Sequence, residues 1–325
     1  MKPGVLVTRH VYPAAIERLQ GRADVDYRDA RDGVCEADLV ARLAGKTAMI
    51  CQLTDTVSTA VLDASPQLEL VANIAVGYDN IDLAAATERG ILVTNTPGVL
   101  TETTADFTWA LLLAAARRVA EADPFVRRGC WQRWEVDLLC GVDVHGKTLG
   151  IVGMGRIGQA VARRAHGFGM RILYASRRSV PGARGTRAAL DDLLTQADFV
   201  SLHVPLDEAT HHLVGERELQ RMQPHAVLIN TARGPIVDES ALVRALRTGT
   251  IAAAGLDVFE REPELTEGLT ELANVVLAPH LGSASVETRT RMCTMAADNV
   301  VALLCGEQPP NLVDTTVWER RRRRR

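Results

Sequence analysis

The sequence predicts an α/β protein built from two domains, each with a parallel β-sheet. The chain has 325 residues, enough for two domains of ~150 residues each. Short apolar runs alternate with amphipathic stretches along most of its length, which is typical of βαβ units. Apolar residues make up 47% of the chain but aromatic residues only 4%, so Ala, Val and Leu must fill the core. Such a composition suits helices that pack on an aliphatic parallel sheet.

The charge of the chain argues against a nucleic-acid-binding protein. The formal net charge is −3, but residues 320–325 supply six of the 37 basic residues. The remaining 31 basic residues face 40 acidic ones, so the body of the chain is acidic, unlike a nucleic-acid binder. A block of like charges repels itself, and we therefore expect residues 318–325 to form a disordered tail.

The cysteines and the hydropathy pattern favour a cytoplasmic protein. The six cysteines form no CxxC pair and no metal-ligand spacing, which predicts reduced thiols and no metal site. The first apolar stretch is too short for a signal peptide, and no run reaches the ~18 apolar residues of a membrane span.

The first hundred residues carry one series of βαβ signals. Strands are predicted at 5–7, 48–51, 68–74 and 91–94, and helices at 14–19, 57–62 and 81–89. Pro97 and Gly98 then interrupt the pattern, so the first domain is expected to cover residues 1–98.

A long helical pattern follows from Thr101. Thr103 or Thr104 is expected to cap it, and residues 105–120 are rich in Ala and Leu. Because this stretch is apolar nearly all round, we expect it to be buried between domains or between subunits. Residues 129–141 are predicted to form a loop.

A second βαβ series begins at Lys147. Its predicted strands are 148–152, 171–174, 199–202, 226–230, 252–256 and 275–277, with helices between them, notably 157–168 and 239–247. A last helix, 286–304, comes after this series and is expected to return to the first domain. The second domain, 99–284, would then be inserted into the first, 1–98 plus 285–317, with a cleft between them.

The strongest local motif is the sequence Gly153-Met-Gly155-Arg156-Ile157-Gly158, which follows an apolar strand and opens a helical pattern. In that context G-x-G-x-x-G predicts a Rossmann-like dinucleotide site. The first glycine permits a tight turn, the second lets the backbone approach the pyrophosphate, and the third allows close packing of helix on strand. The N-terminus of this helix would bind the phosphates, and Arg156 and Ile157 are expected to take part in that binding.

The end of the next strand bears on the choice of cofactor. An acid about 20 residues beyond the glycines would bind the ribose 2′-hydroxyl of NADH. The chain instead has Ser176, Arg177 and Arg178 there, and Arg binds a phosphate well. The sequence therefore favours NADPH, with NADH left open as an alternative.

Three polar residues follow predicted strands of the second series: Arg233, Glu262 and His280. Ligands bind beyond the carboxyl ends of the strands in such sheets, so we expect these residues to converge there. Arg233 can bind a substrate carboxylate and polarise a ketone. His280 can donate a proton, and Glu262 can orient it and raise its pKa. This chemistry fits the reduction of a 2-oxo acid by hydride from a nicotinamide.

The motifs together resemble those of the D-isomer-specific 2-hydroxyacid dehydrogenases over about residues 4–317. The motifs that carry the resemblance are VGYDNID (76–82), NTPGVLTETTAD (95–106), GKTLGIVGMGRIG (146–158), NTARGPIVD (230–238), AGLDVFEREP (254–263) and PHLGSA (279–284). The resemblance implies a flavodoxin-like substrate domain with an inserted doubly wound dinucleotide-binding domain. It also implies Arg233, Glu262 and His280 as the catalytic set.

Further expectations follow from the same resemblance. The backbone at Val76 and Gly77 would hold the substrate carboxylate, and Thr231 and Asp257 would lie beside the cofactor. A homodimer would form through the helix after Thr101. Within the family the chain is most similar to glyoxylate/hydroxypyruvate reductases, including those described as 2-ketogluconate reductases.

The main alternative is a non-catalytic dinucleotide-sensing corepressor, because such proteins share the same fold and fold does not fix function. A phosphite dehydrogenase is disfavoured because it carries a Lys where this chain has Val76. A formate dehydrogenase is disfavoured because it has Gln in the role of Glu262.

Overall fold

The computed structural model describes residues 2–321, which form two compact units. The first unit runs to Leu100 and resumes at Ala284, and the second is the continuous segment Thr101–Ser283. These divisions lie one or two residues from those expected. The second unit is thus inserted between two segments of the first.

The first unit contains a five-stranded sheet in which every pairing is parallel. The strands are β1 (Gly4–Val7), β2 (Asp24–Tyr27), β3 (Ala48–Cys51), β4 (Leu70–Asn73) and β5 (Leu92–Thr94). Their order is β2-β1-β3-β4-β5, the flavodoxin-like order, which confirms the expected fold of this unit. Strand β2 was not predicted from the sequence, because its residues DVDY include two aspartates and lack a continuous apolar run.

Helices cover both faces of this sheet. They are α1 (Pro13–Leu19), α2 (Glu36–Leu43), α3 (Thr59–Asp63), α4 (Leu83–Glu88) and, from the C-terminal segment, α11 (Val286–Leu304). One apolar core contains buried residues of α1 and α11, and the other contains those of α2, α3 and α4. The helix predicted from residue 57 begins at Thr59 because the Ser58 hydroxyl caps it.

The chain end corrects one expectation. Residues 318–321 are not disordered, because a short helix α12 (Val317–Arg320) packs Val317 and Trp318 on the first core. The Arg321 guanidinium lies 3.3 Å from the centre of the Trp318 ring, so a cation–π contact holds it. Residues 322–325 lie outside the described part of the chain.

The second unit contains a seven-stranded parallel sheet. Its strands are β6 (Thr148–Val152), β7 (Arg171–Ala175), β8 (Thr186–Arg187), β9 (Phe199–Leu202), β10 (Val227–Asn230), β11 (Ala253–Leu256) and β12 (Val275–Leu277). The order β12-β11-β10-β9-β6-β7-β8 reverses direction at β6, which confirms a doubly wound sheet. The carboxyl ends of β6 and its neighbours therefore form the place where this fold binds ligands.

The helices of the second unit lie on both faces of its sheet. They are α5 (Thr101–Ala116), α6 (Val119–Arg127), α7 (Arg156–Ala165), α8 (Leu190–Gln196), α9 (Glu216–Arg221) and α10 (Glu239–Thr248). Short 3₁₀ turns occur at His166–Phe168, Gly234–Ile236 and Leu269–Glu271. One core contains residues of α5 and α7, and the other those of α8, α9 and α10.

The stretch predicted as one long helix is two. The first helix begins at Thr101, before the proposed caps at Thr103 and Thr104, and ends at Ala116. Arg118 then adopts a left-handed conformation with φ 53°, which breaks the helix before α6. The apolar face of α5 packs on α7 and on strands β10 to β12 of its own unit, while Asp106 and Ala110 are exposed.

Candidate active site

The glycine motif joins β6 to α7 through a turn that other residues would obstruct. Gly153 has φ 97°, and a Cβ there would lie 2.6 Å from the carbonyl carbon and oxygen of His203. A Cβ at Gly158 would lie 2.2 Å from the carbonyl oxygen of Gly153. A Cβ at Gly155 would meet no atom within 4 Å, so the space beside its backbone is open. The turn is therefore closely packed against the protein at Gly153 and Gly158, and it leaves open space beside Gly155.

Helix α7 begins directly after this open position. Gly155 is its N-cap, and Arg156 and Ile157 are its first residues. The first intrahelical bond of this turn is from the Gln159 N–H to the Gly155 carbonyl, at 2.9 Å. The preceding N–H groups of the first turn and the positive end of the helix dipole suit an anion. A dinucleotide pyrophosphate fits this arrangement.

A cavity of about 750 Å³ extends from the glycine turn. Its residues lie in three segments: the glycine turn, the carboxyl end of β7 with the start of α8, and the loop after β9. They are Val152, Gly153, Gly155, Ala175, Ser176, Arg177, Arg187, Ala188, Ala189, Leu190, His203, Val204, Pro205, Ala209, Thr210 and Leu213. Its size and its mainly apolar wall suit the adenosine part of a dinucleotide.

His203 lies on the wall of this cavity. Its Nε2 is 2.8 Å from the hydroxyl of Ser201, which is fully buried. Burial lowers the pKa of His203 to about 3, so its ring is neutral at physiological pH. This ring therefore adds no positive charge to the cavity.

The turn after β7 is held by the hydroxyl of Ser176, which belongs to the turn, and by the side chain of Arg187. The Ser176 hydroxyl donates to the carbonyl of Arg178 at 2.6 Å. Arg187 on β8 donates from Nη2 to the carbonyls of Ser176 and Arg177 at 3.0 and 3.2 Å. Ser176, Arg177 and Arg187 line the cavity, whereas Arg178 is not among its lining residues. The sequence missed Arg187, whose only local signal is a strand two residues long.

Arg233 follows β10 in a turn that Asn230 holds. The Asn230 side chain donates to the Arg233 carbonyl at 2.9 Å and accepts from the Ala232 N–H at 3.0 Å. Asn230 is 1% exposed, so both bonds are shielded from water. Gly234 comes next, and a Cβ there would lie only 1.8 Å from the carbonyl carbon of Phe259. The backbones that carry Arg233 and Glu262 are therefore in direct contact.

Glu262 and His280 form a hydrogen-bonded pair. The distance from His280 Nδ1 to Glu262 Oε2 is 2.9 Å, and the two side chains are 26% and 28% exposed. The other carboxylate oxygen of Glu262 accepts the N–H of Phe259 at 3.0 Å. His280 adopts a left-handed conformation with φ 55°. Both side chains are thus fixed while part of each remains accessible.

The carboxyl group of Glu262 is held in its charged form. Burial, the largest single influence, acts to raise the pKa of Glu262, whereas the hydrogen bond and charge of His280 act to lower it. The Phe259 N–H and the positive charge of Arg233 act in the same direction, so the pKa of Glu262 is lowered. The influence of Arg233 also shows that its charge acts on the Glu262 carboxylate.

Asp257 fixes the loop that follows His280. Its two carboxylate oxygens accept the N–H groups of Leu281 and Gly282 at 2.6 and 2.7 Å, and its own carbonyl accepts the His280 N–H at 2.9 Å. Asp257 is 1% exposed, and this burial raises its pKa despite the two backbone bonds. The conformation of His280 is therefore set by contacts on both sides.

The remaining predicted residues lie in two places. Thr231 is 9% exposed, and its hydroxyl is 2.9 Å from that of Thr108 on α5. Val76 and Gly77 belong to the first unit, where their carbonyls accept the side-chain amides of Asn95 and Asn73 at 2.8 and 3.0 Å. Their role in binding a carboxylate stays a prediction.

Residues 2–321 contain neither a metal-binding cluster nor a membrane-spanning helix. No group of three or more His, Cys, Asp or Glu residues in this range is placed to hold a metal ion. None of the helices in the same range combines the length and apolarity needed to cross a membrane.

Comparison with known sequences gives the chain a clear set of relatives. Residues 109–282 match the family model of the D-isomer-specific 2-hydroxyacid dehydrogenase NAD-binding domain. The chain is 52% identical to a glyoxylate reductase of Korarchaeum cryptofilum, over 98% of this chain and 97% of the relative. It is 51% identical to a glyoxylate reductase of Aeropyrum pernix, over 97% of each chain.

Solved structures show the same fold. A protein of Thermus thermophilus superposes with a TM-score of 0.91 and 47% identity, over 96% of this chain and 100% of the other. An NADPH-dependent glyoxylate/hydroxypyruvate reductase of Sinorhizobium meliloti, solved with NADP and malonate, gives a TM-score of 0.89 and 38% identity over the whole of both chains.

Proposed function

Because the chain belongs to the D-isomer-specific 2-hydroxyacid dehydrogenase family, we propose that it is an NADPH-preferring reductase of glyoxylate or a similarly small 2-oxo acid. The observation that carries this proposal is the Glu262–His280 pair beside Arg233, in the unit that also carries the glycine turn. The relatives named glyoxylate reductases point to glyoxylate as substrate, with hydroxypyruvate and 2-ketogluconate as the next candidates.

The cofactor would be held by the glycine turn and the cavity beside it. Gly153, Gly155 and Gly158 give the pyrophosphate its close approach to the backbone, and Arg156 and Ile157 present the helix N-terminus to it. Ser176 and Arg177 line the place where a 2′-phosphate would be recognised. When bound, the reduced nicotinamide supplies the hydride.

The chain's own residues supply the charge and the proton. Arg233 binds the substrate carboxylate with its guanidinium and stabilises negative charge that develops on the ketone oxygen. His280 holds Nδ1 toward Glu262, so the proton that goes to the substrate oxygen is the one on Nε2. Glu262 keeps its negative charge and stabilises the protonated ring before transfer. The product is the 2-hydroxy acid, of D configuration wherever the new hydroxyl-bearing carbon is a stereocentre, as it is for hydroxypyruvate but not for glyoxylate.

The reaction is tested by absorbance at 340 nm with NADPH and then NADH, against glyoxylate, hydroxypyruvate and 2-ketogluconate. We expect rapid oxidation of NADPH with at least one of them. Binding of NADPH without turnover of any 2-oxo acid would contradict the proposal and support the non-catalytic alternative.

A matched pair of variants tests the role of His280. His280→Asn should reduce kcat by about 10²–10⁴-fold and leave NADPH affinity nearly unchanged. His225→Asn is the control. His225 pairs with Asp198 at 2.6 Å, and the two residues precede β10 and β9, at the amino ends of the strands and away from the proposed site at their carboxyl ends. Equal activity of the two variants would refute the assignment.

We also propose a cytoplasmic homodimer. The sequence places its interface on the helix after Thr101, but α5 packs within its own unit, so we assign the interface to α6 and the loop that follows it. The six cysteines are all unpaired in the structure, in keeping with a reducing compartment. Helix α6 and the loop after it expose apolar side chains, namely Val119, Val126, Trp131, Trp134 and Val136 at 54–79%. Such a patch is typical of an interface. Sedimentation equilibrium should give twice the mass of 35.2 kDa, and a monomer would refute the dimer.

A further inference from the structure

Arg187 is the least expected residue on the cavity wall. It lies ten residues beyond Arg177, on the edge strand β8, and the registers of β7 and β8 place it beside Tyr174. Its Nη2 bonds to the carbonyls of Ser176 and Arg177, so the guanidinium is fixed across the turn at the end of β7. An arginine held in this way is preorganised, and little side-chain entropy is lost when it binds a ligand.

The position of Arg187 along the cavity suggests which part of a cofactor it faces. The glycine turn lies in one segment of the wall, and Ala188, Leu190, Val204 and Leu213 form an apolar part that suits an adenine ring. Arg187 directly precedes Ala188 and is bonded to the turn of Ser176. It therefore lies where the apolar part meets the polar turn, which is where the adenosine ribose would be recognised.

The charge at this place favours an added phosphate over a hydroxyl. Of the described residues that line the cavity, none is Asp or Glu, and two are arginines, Arg177 and Arg187. Asp207 is the acid paired with Arg177, at 3.7 Å, and Arg177 is 83% exposed. A ribose hydroxyl would find no carboxylate on this wall, whereas a 2′-phosphate would find two guanidinium groups.

We propose that Arg187 is the main determinant of cofactor choice: it binds the 2′-phosphate of NADPH with the guanidinium nitrogens beyond Nη2. Arg177, highly exposed and shared with Asp207, is the weaker contact. This inference rests on the proposed preference for NADPH and assigns it to a residue outside the turn of residues 176–178.

The test measures binding without catalysis. Adenosine 2′,5′-bisphosphate and adenosine 5′-monophosphate are titrated by calorimetry into the wild type and into Arg187→Leu, Arg187→Lys and Arg184→Leu. Arg184 lies in the same β7–β8 connection but does not line the cavity, so its variant removes an equal charge elsewhere. NADPH and NADH are titrated in parallel.

The wild type should bind the bisphosphate more tightly than the monophosphate. Arg187→Leu should weaken the bisphosphate about tenfold, the scale of one lost charge-assisted hydrogen bond, and leave the monophosphate within about twofold. Arg187→Lys should stay within about threefold of the wild type because it keeps the charge. Arg184→Leu should change neither ligand by more than about twofold.

Each other outcome has a distinct meaning. If the wild type does not distinguish the two nucleotides, the proposed NADPH preference fails. If it does distinguish them but Arg187→Leu keeps the same selectivity, only the role of Arg187 is overturned. Equal weakening of both nucleotides by Arg187→Leu would mean that the guanidinium stacks on adenine, which also overturns phosphate recognition.

Discussion

Gly234 offers a direct test of the contact between the backbone segments that carry two of the proposed catalytic residues, Arg233 and Glu262. A Cβ added there would lie 1.8 Å from the carbonyl carbon of Phe259 and 1.9 Å from its oxygen. Gly234 is not in a left-handed conformation, so the cost of Gly234→Ala is steric alone. Because the obstructing atoms are backbone, no side-chain rotation relieves the clash, and the turn after β10 must move away from the loop after β11.

The expected size of this effect follows from known overpacking costs. Extra methyl groups in a packed interior cost about 1–3 kcal/mol, and this contact should be at the upper end. About 3 kcal/mol corresponds to a roughly hundredfold shift of the unfolding equilibrium. Movement of the Phe259 peptide also disturbs its bond to Glu262, which is 3.0 Å long. A displacement of ~1 Å at a catalytic group costs on the order of 10²-fold in rate.

The assay compares urea unfolding and kcat for the wild type, Gly234→Ala and Gly167→Ala. Gly167 is the control because a Cβ there meets no atom within 4 Å and its backbone is not left-handed. We expect Gly234→Ala to be less stable and much less active, and Gly167→Ala to resemble the wild type. If both variants unfold at the same urea concentration with wild-type kcat, the inferred contact is wrong.

Three further perturbations have expected outcomes. Glu262→Gln keeps an acceptor for His280 but removes the charge, so kcat should fall about 10–100-fold with little change in NADPH affinity; a loss below twofold would contradict the pairing. The folded-state pKa of His203 is about 3 against 6.5 unfolded, so only the unfolded chain takes up this proton as the pH falls below 6.5. The contribution of neutral His203 to the free energy of unfolding is complete above that pH and is lost as the pH falls toward 3. Between pH 7 and pH 5, urea unfolding of the wild type should therefore show a loss of stability of up to about 2 kcal/mol that His203→Gln does not show. Equal losses in the two proteins would refute the pKa shift. Asp207→Asn frees Arg177 from an exposed ion pair, so calorimetry should show NADPH binding about 1.5–5-fold tighter and NADH binding unchanged, whereas weaker NADPH binding would contradict the competition.

The sequence predicts the central strands well because they are buried on both faces. β3, β6 and β9 have the predicted bounds, since continuous apolar runs leave little ambiguity. The half-buried edge strand β12 also has its predicted bounds. The elements missed lack such a signal. β2 contains two aspartates at a sheet edge. Helix α6 follows α5 after two residues, and no composition signal marks the left-handed one, Arg118.

Site residues could be predicted only where a polar side chain lies in the loop that follows an apolar strand. Arg233, Glu262 and His280 could be proposed as a catalytic set because each comes shortly after a recognisable apolar strand. Arg187 and Asn230 could not, because their significance lies in bonds to the carbonyls of other residues. The left-handed backbone of His280 also has no sequence signal. Asp257, directly after β11, accepts the N–H groups of His280, Leu281 and Gly282.

The insertion of one unit within the other affects how the chain is made. Helix α11, which packs on α1 in the first core, is synthesised after all 183 residues of the segment Thr101–Ser283. The N-terminal segment of the first unit is synthesised well before α11. The apolar faces of α1 and β4 that α11 covers therefore stay exposed until α11 has been made. The inserted unit is continuous and can fold as soon as it emerges. Its folding brings the two ends of the segment together and shortens the loop that α11 must close. A chain that ends just before Val286, released in solution, should therefore resist protease in the second unit and be cut in the first.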